Sequence, residues 1–468
     1  MIYDLAIVGS GPGGYTAAIC AAREGMRVLL VERDRLGGTC LNRGCIPTKS
    51  YYYDAKLFHA ARSSDVLLNN SHIAVDFAKM LERKRRVVGT LCRGLEHIIH
   101  SHGITVAVGQ GDLLSPREIR ITPHGSEPYQ VRAANIILAT GSRPTVPRGF
   151  TVDGRIVQTT DEALNSPDLP QQVVIIGAGV IGIEMASIYI NLGARVSLIE
   201  MLPDILFTED ADVRAAMREI LIRRGAKVHL ESVVLEISKS EEEAMVLFKN
   251  AAGEVLEEPA DRVLLATGRS PVLDGLDVNR LDMAFSGRFV RVDKRMRTSI
   301  SGVYAIGDLV GGMMLAHKAA AEGEAAVADL KGVSRPVQPH RIPRCIWGLA
   351  EIGAIGLTEE EAKAARPRIR VSRFPYQASG AAHALGETDG FVKLIGDPES
   401  GEILGVHIIG AHATELISEA STAMSLEAFV EDLCEGIKPH PTVSETLSEA
   451  ALNWNNKAVH LPASRWPR

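Results

Sequence analysis

Cysteine is scarce in this chain, with six in 468 residues, and that scarcity excludes a small extracellular scaffold stapled by disulfides. Long apolar runs are missing as well. Stretches such as IILAT at 136–140 fall far short of the about 20 residues that cross a bilayer, so no membrane span is expected. The net charge is a mild −6 and no basic stripe stands out, which removes any reason to expect nucleic acid. An apolar strand begins almost at residue 1, in MIYDLAIVGSGPGG, so we expect no signal or transit peptide and a cytoplasmic protein. Against these absences stand 46% hydrophobic residues, 43 glycines, and a length that suggests roughly three domains of about 150 residues each. The expectation is a soluble enzyme.

The glycines are not scattered. Residues 5–32, LAIVGSGPGGYTAAICAAREGMRVLLVE, and 173–200, VVIIGAGVIGIEMASIYINLGARVSLIE, are two copies of one pattern. Each has an apolar strand, a G-x-G-x-x-G turn, a helix with apolar residues at helical spacing, and a second apolar strand ending in glutamate. The first turn uses Gly9, Gly11 and Gly14, the second Gly177, Gly179 and Gly182, and 23 positions separate Gly9 from Glu32 and Gly177 from Glu200. Such a unit seats a pyrophosphate at the helix N-terminus and sets its acid on the ribose hydroxyls. One copy of the turn alone carries little weight; two complete units point to two bound dinucleotides. Two further segments run parallel, IILATGSRP at 136–144 and VLLATGRSP at 263–271, each reading as a buried strand that leaves through Ala-Thr-Gly. RTSISGVYAIGD at 297–308 occurs once and ends in Gly307-Asp308, whose bland reading is a cap or turn.

The expected fold is therefore α/β, with two Rossmann-like dinucleotide-binding domains and an α+β C-terminal domain. The first nucleotide domain is expected over 1–145 and again over 270–337, with the second, 146–269, inserted between. The tail, 338–468, lacks a nucleotide motif and reads as antiparallel strands with packed helices, including one after His412.

Chemistry concentrates in GGTCLNRGCIPTK, where Cys40 and Cys45 follow the first nucleotide unit and run into an expected helix. In a reducing compartment such a pair cycles between dithiol and disulfide rather than holding a fold together. Pro47 suits the first helical position, and the positive helix end favours the thiolate of a nearby cysteine. Gly37 and Gly38 let backbone approach a flat ring system. Cys20, Cys92, Cys345 and Cys434 have no such setting and read as packing residues. A base is needed, because the thiolate is the nucleophile. Among 14 histidines, His440 precedes Pro441, which biases it away from helix, and Thr442-x-x-Glu445 has the spelling of a capping box.

Taken together, GSGPGG, GGTCLNRGCIPTK, ATGSRP, GAGVIGIE, ATGR, AIGD, LAHKAAAEG, LGETDGFVKLI and HPTVSE resemble the flavin-dependent disulfide reductases along essentially the whole chain, and among them the dihydrolipoyl dehydrogenases most. The resemblance implies FAD on the first unit, touching Gly38, Thr39, Lys49, Thr140, Gly141, Asp308 and Ala316, and NAD on the second, touching Glu184, Glu200 and Gly268. It implies that Cys45 lies against the flavin while Cys40 meets the substrate sulfur. His440 is implied as the base, oriented by Glu445 and following into a cis bond to Pro441. Lys49 and Glu184 are implied as an ion pair beside the flavin. Glu200 repels a 2′-phosphate and so favours NAD over NADP. The resemblance further implies a homodimer in which His440 serves the disulfide of the other subunit, and a substrate carried on the lipoyl domain of a 2-oxoacid dehydrogenase or glycine cleavage complex.

The chain departs from that pattern in three places. Relatives carry Tyr-Thr-x-Pro-Glu where this chain has Trp-Gly-Leu-Ala-Glu at 347–351, a change expected to touch interface packing and not the chemistry. Arg43 stands between the cysteines, where relatives often have a small apolar residue. Tyr51, Tyr52 and Tyr53 follow Lys49, and a helix points them in different directions, so they read mainly as core or interface. Two other functions remain open at this stage. One is a reductase of glutathione-like or mercuric substrates, against which stand Glu200 and an SRWPR terminus without a cysteine pair. The other is a non-catalytic subunit of a multienzyme complex, against which stand the complete motifs.

Overall fold

The computed structural model describes residues 2–276 and 281–462; the SRWPR terminus lies outside that range. The first sheet is built on parallel strands Thr105–Val108, Val28–Glu32, Ile2–Val8 and Tyr129–Leu138, in that spatial order. Val303–Ala305 joins it, parallel to Tyr129–Leu138, after more than 150 residues of intervening chain. Antiparallel strands Glu118–Thr122 and Gln110–Ser115 extend its other end. Side chains of one strand alternate between faces: Leu5 and Ile7 pack under the helices Pro12–Arg23 and Ala316–Leu330, while Ala6 and Val8 pack on the opposite side. Both faces are covered, which is why these strands read as unbroken apolar runs.

A second parallel sheet orders Lys227–His229, Arg195–Ile199, Gln172–Ile176, Arg262–Leu265 and Val157–Gln158. Three antiparallel strands, Val233–Lys239, Ala244–Lys249 and Val255–Ala260, cover one side through Val246 and Phe248. Where the chain passes between the two units, Ser142–Pro144 pairs antiparallel with Arg269–Pro271. The tail forms a five-stranded antiparallel sheet, ordered Arg344–Trp347, Glu351–Gly356, Ile403–Ile409, Phe391–Gly396 and Arg370–Pro375. Helix Ala413–Ser425 packs on it directly after His412. No helix among the described residues is long and apolar enough to cross a membrane.

A buried charge cluster fastens the tail to the second nucleotide unit. The side chain of Lys393 is 1% exposed, and its Nζ reaches Asp210 Oδ1 and Glu359 Oε2 at 2.7 Å each, with Asp212 also in the pair. Asp210 caps helix Ala211–Arg223 by accepting from the Asp212 N–H at 3.1 Å, and it also accepts from the Glu359 N–H at 3.0 Å. Burial alone would lower the Lys393 pKa and raise that of Asp210; their mutual hydrogen bonds win, holding the lysine above its ordinary value and the carboxyl below.

Candidate active site

In both glycine turns the first and third glycines pack against backbone and the middle one does not. A Cβ on Gly9 would lie 2.2 Å from the Ala139 carbonyl oxygen, and one on Gly14 1.9 Å from that of Gly9. A Cβ on Gly177 would lie 2.5 Å from the Ala266 oxygen, and one on Gly182 2.0 Å from that of Gly177. Gly11 and Gly179 meet nothing within 4 Å. The outer glycines thus hold helix to strand, and the middle ones leave room for a phosphate at a helix N-terminus. The two glutamates sit beneath these turns. Glu32 accepts from the N–H and hydroxyl of Ser10 at 2.9 and 2.6 Å, and Glu200 accepts from the N–H groups of Ala178 and Leu202 at 2.6 and 2.9 Å.

A single cavity of about 590 Å³ runs from the first turn to both cysteines. Its lining includes Gly9, Gly11, Gly14, Glu32 and Thr39 together with Cys40, Cys45, Lys49 and Glu184. Thr140, Gly141, Asp308 and Ala316 also line it. Gly38 sits just outside, with φ +57, and its missing side chain matters because a Cβ there would be 2.6 Å from the Gly11 Cα. Asp308 opens toward the cavity from a 3₁₀ turn, Gly307–Val310, and takes a short hydrogen bond from the Ser142 hydroxyl. That hydroxyl in turn accepts from Arg269 Nε at 2.7 Å. Ser142 and Arg269 were not singled out by sequence reasoning, although both lie in the paired Ala-Thr-Gly segments. The cavity, its backbone-lined approach at Gly9 and Gly38, and its volume suit an extended flavin dinucleotide.

The cysteine segment differs from its expected form. The helix opens at Cys45, not at Pro47: Gly44 is its cap, Cys45 its first residue and Pro47 its third, in Cys45–Ser63. A proline is tolerated there because the first four N–H groups of a helix have no intrahelical partner. Cys40 lies on a separate short helix, Gly38–Arg43. Both cysteines are free thiols bordering the cavity. Interaction with the Cys40 thiol draws the Cys45 thiol down to about 7 against the opposing effect of burial, helped by the Lys49 cation. The same interaction, together with burial, pushes Cys40 up. Of the two, Cys45 is the thiol biased toward its anion.

Lys49 is four residues beyond Cys45 and so lies on the same helix face. The helix packs on Val180–Asn191, the helix of the second glycine turn, and this brings Lys49 Nζ to both Glu184 carboxylate oxygens at 2.9 and 2.8 Å. Tyr51 and Tyr52 are buried in that packing and Tyr53 is 51% exposed, so none of the three lines the cavity. Trp347 corrects a second expectation. Its ring lies 4.2 Å from Lys49 Nζ, its main-chain N–H donates to Glu184 Oε1 at 3.1 Å, and the residue lines the cavity. Of the departure at 347–351, Trp347 thus borders the cavity beside Lys49 and Glu184. Cys345, read as a packing residue, also borders the cavity, its thiol raised by burial to about 11.

His440 lies elsewhere. The His440–Pro441 bond is cis, and Nδ1 lies 2.9 Å from Glu445 Oε1. Its side chain is 76% exposed and does not border the cavity that holds the cysteines in the same chain. The capping box spelled by Thr442 and Glu445 does not form. Helix Glu445–Trp454 starts at the glutamate with Ser444 as cap, and the Thr442 hydroxyl donates to the Pro439 carbonyl instead. Only half of the reciprocal pair remains, the Thr442 N–H to Glu445 Oε2 at 3.0 Å. Burial would raise the Glu445 pKa, but that N–H and the imidazole hold it below the ordinary value.

With the geometry in place, comparison with known proteins is decisive. The model of the pyridine nucleotide-disulphide oxidoreductases matches residues 3–323, and that of their dimerisation domain matches 342–451. The chain belongs to this family. A dihydrolipoyl dehydrogenase of Bacillus subtilis is 38% identical over 470 residues, covering 98% of this chain and 99% of the relative. One from Chlorobaculum parvum is 39% identical, covering 96% of each. Among solved structures, the HOCl-induced flavoprotein disulfide reductase of Escherichia coli superposes with a TM-score of 0.84 at 28% identity, over 96% of this chain and 99% of that one. Such family members use FAD and NAD, and this chain carries both nucleotide units that the cofactors require.

Proposed function

We propose that this chain is an FAD-dependent, NAD-linked dihydrolipoyl dehydrogenase, and that Cys40 and Cys45 are its redox pair. The observation that carries the reading is the continuous cavity joining the first glycine turn to a cysteine pair whose inner thiol is biased to thiolate. Residues 1–145 and 270–337 serve FAD, 146–269 serve NAD, and 338–468 form the dimer interface. The strand Val303–Ala305 beside Tyr129–Leu138 supports the interrupted first domain.

Held by the cavity that Gly9, Gly11, Gly14 and Asp308 line, FAD would supply two-electron transfer between the reduced thiols and NAD. The chain's own residues do the rest. His440 Nε2, its ring held through Nδ1 by Glu445, takes the proton of one thiol of the dithiol substrate, and the resulting thiolate attacks Cys40 Sγ of the disulfide, forming a mixed disulfide and releasing Cys45 as thiolate. The second substrate sulfur then attacks the substrate sulfur of that mixed disulfide, and its proton passes to the departing Cys40. This leaves an oxidised cyclic disulfide, a Cys40 thiol, a Cys45 thiolate and a protonated His440. Lys49 keeps positive charge beside Cys45, and Glu184 fixes the lysine. Because His440 is exposed and off the cavity of its own chain, the reading places it over the cysteines of the second subunit of a homodimer. Glu200 selects NAD by repelling a 2′-phosphate. The substrate is a lipoyl group carried by another protein of the cytoplasm, in a 2-oxoacid dehydrogenase or glycine cleavage complex. The test is steady-state turnover of dihydrolipoamide with NAD against glutathione disulfide with NADPH. Turnover of the second pair alone would replace this reading with that of a disulfide reductase.

A further inference from the structure

We propose that Trp347 is a positioning residue for the redox pair: the face of its indole holds the Lys49 ammonium between ring and Glu184, so that the lysine charge stays aimed at the Cys45 sulfur. The inference rests on the reading of Cys45 as the inner redox thiol. Its geometry is independent of that reading. Lys49 Nζ lies 4.2 Å from the indole centroid and 2.8 Å from Glu184 Oε2, a cation clamped between a carboxylate and a ring. Such a cation–ring contact is strongest for tryptophan and strengthens with desolvation.

Two details assign the effect to the ring face. The indole Nε1–H is buried and has no hydrogen-bond partner, so its polar edge does not anchor the residue. The hydrogen bond from Trp347 to Glu184 comes from the main chain at 3.1 Å and survives any side-chain change. The strand that carries Trp347 pairs it with Glu351 across the antiparallel ladder, so the edge of the tail sheet reaches back into the redox site of its own chain. Other ionisable groups near this cluster are Cys40 from the short helix, Tyr15 from the first nucleotide helix, and Cys345 and Glu351 from the tail sheet. Glu351 is already engaged by the Thr414 hydroxyl at 2.7 Å. Lys49 is a cation whose charge draws the Cys45 thiol down. Without the ring, Lys49 gains water and motion, and its pull on the thiolate weakens.

The experiment follows thiolate formation on Cys45 in the dithionite-reduced holoenzyme, as the pH dependence of iodoacetamide labelling. Trypsin cuts after Arg43, which separates the Cys40 and Cys45 peptides for mass spectrometry. Trp347→Leu is expected to raise the Cys45 midpoint by about half a unit to one unit, while Trp347→Phe, which keeps a ring face, recovers at least half of that loss. Site-directed fluorinated tryptophans at position 347 preserve shape while draining the ring face, and the midpoint should climb with each added fluorine. That series carries the test if the leucine variant does not fold. An equal shift for phenylalanine and leucine, or no trend with fluorination, overturns the proposal. A wild-type Cys45 that shows no thiolate titration below pH 9 removes the redox-pair reading instead, so the two failures are distinct.

Discussion

Lys393 tests whether the tail is fastened to the second nucleotide unit by charge. In Lys393→Met the buried Asp210 and the partly buried Glu359 and Asp212 lose their shared cation. Removing one partner of a buried pair costs about 3–5 kcal/mol. Asp210 keeps the N–H groups of Asp212 and Glu359, which places the expected loss near the lower end, about 3 kcal/mol. For a chain of 468 residues, the usual unfolding entropy converts that into a fall in Tm of about 3 °C at pH 7. The pH dependence has a definite sign. Asp210 and Glu359 are held below their ordinary values in the folded protein, so their contribution is present above about pH 4 and is lost as pH falls through the lowered folded values. Lys393 is held above its ordinary value, so its contribution is present below about pH 10 and is lost as pH rises through the higher folded value. The deficit of the variant should therefore be flat from about pH 5 to 10 and shrink below about pH 4. Differential scanning calorimetry of wild type and variant across pH reads it directly. A fall of under 1 °C at pH 7, or a deficit that grows on acidification, would refute the clasp.

Three further outcomes address the site. Gly9→Ala should lose nearly all co-purifying flavin, since its φ of +103 disfavours a side chain and the Cβ would meet the Ala139 carbonyl at 2.2 Å; retained yellow colour counts against this cradle. His440→Gln should lower kcat with dihydrolipoamide by about 10²–10⁴-fold while flavin content is unchanged, and near-normal rates would exclude it as the base. In the reduced protein at pH 7.5, iodoacetamide should label Cys45 well before Cys345, because one thiol is drawn down to about 7 and the other pushed up to about 11; the reverse order in peptide maps would contradict the charge arrangement.

Local order along the chain was enough for the two nucleotide units, because a strand, a glycine turn, a helix and a closing glutamate all lie within some thirty consecutive residues. The same is true of the cysteine segment and of the acid five positions beyond His440, whose partnership is built inside one turn of chain. What the sequence could not display were contacts between residues far apart in it. The Lys49–Glu184 pair is implied by the family resemblance alone, and the contact exists only because two helices pack across the units. Arg269 reaches Ser142 only where two crossing strands pair, and Lys393 finds Asp210 only when the tail folds back. Trp347 looked like a variation in an interface strand until packing laid its ring on a lysine almost 300 residues upstream. Spelling also misled where local competition decided, as at Pro47 and Thr442. There each helix start lies two residues from the spelled one, at Cys45 and Glu445, and neither Gly44 nor Ser444 caps through its side chain.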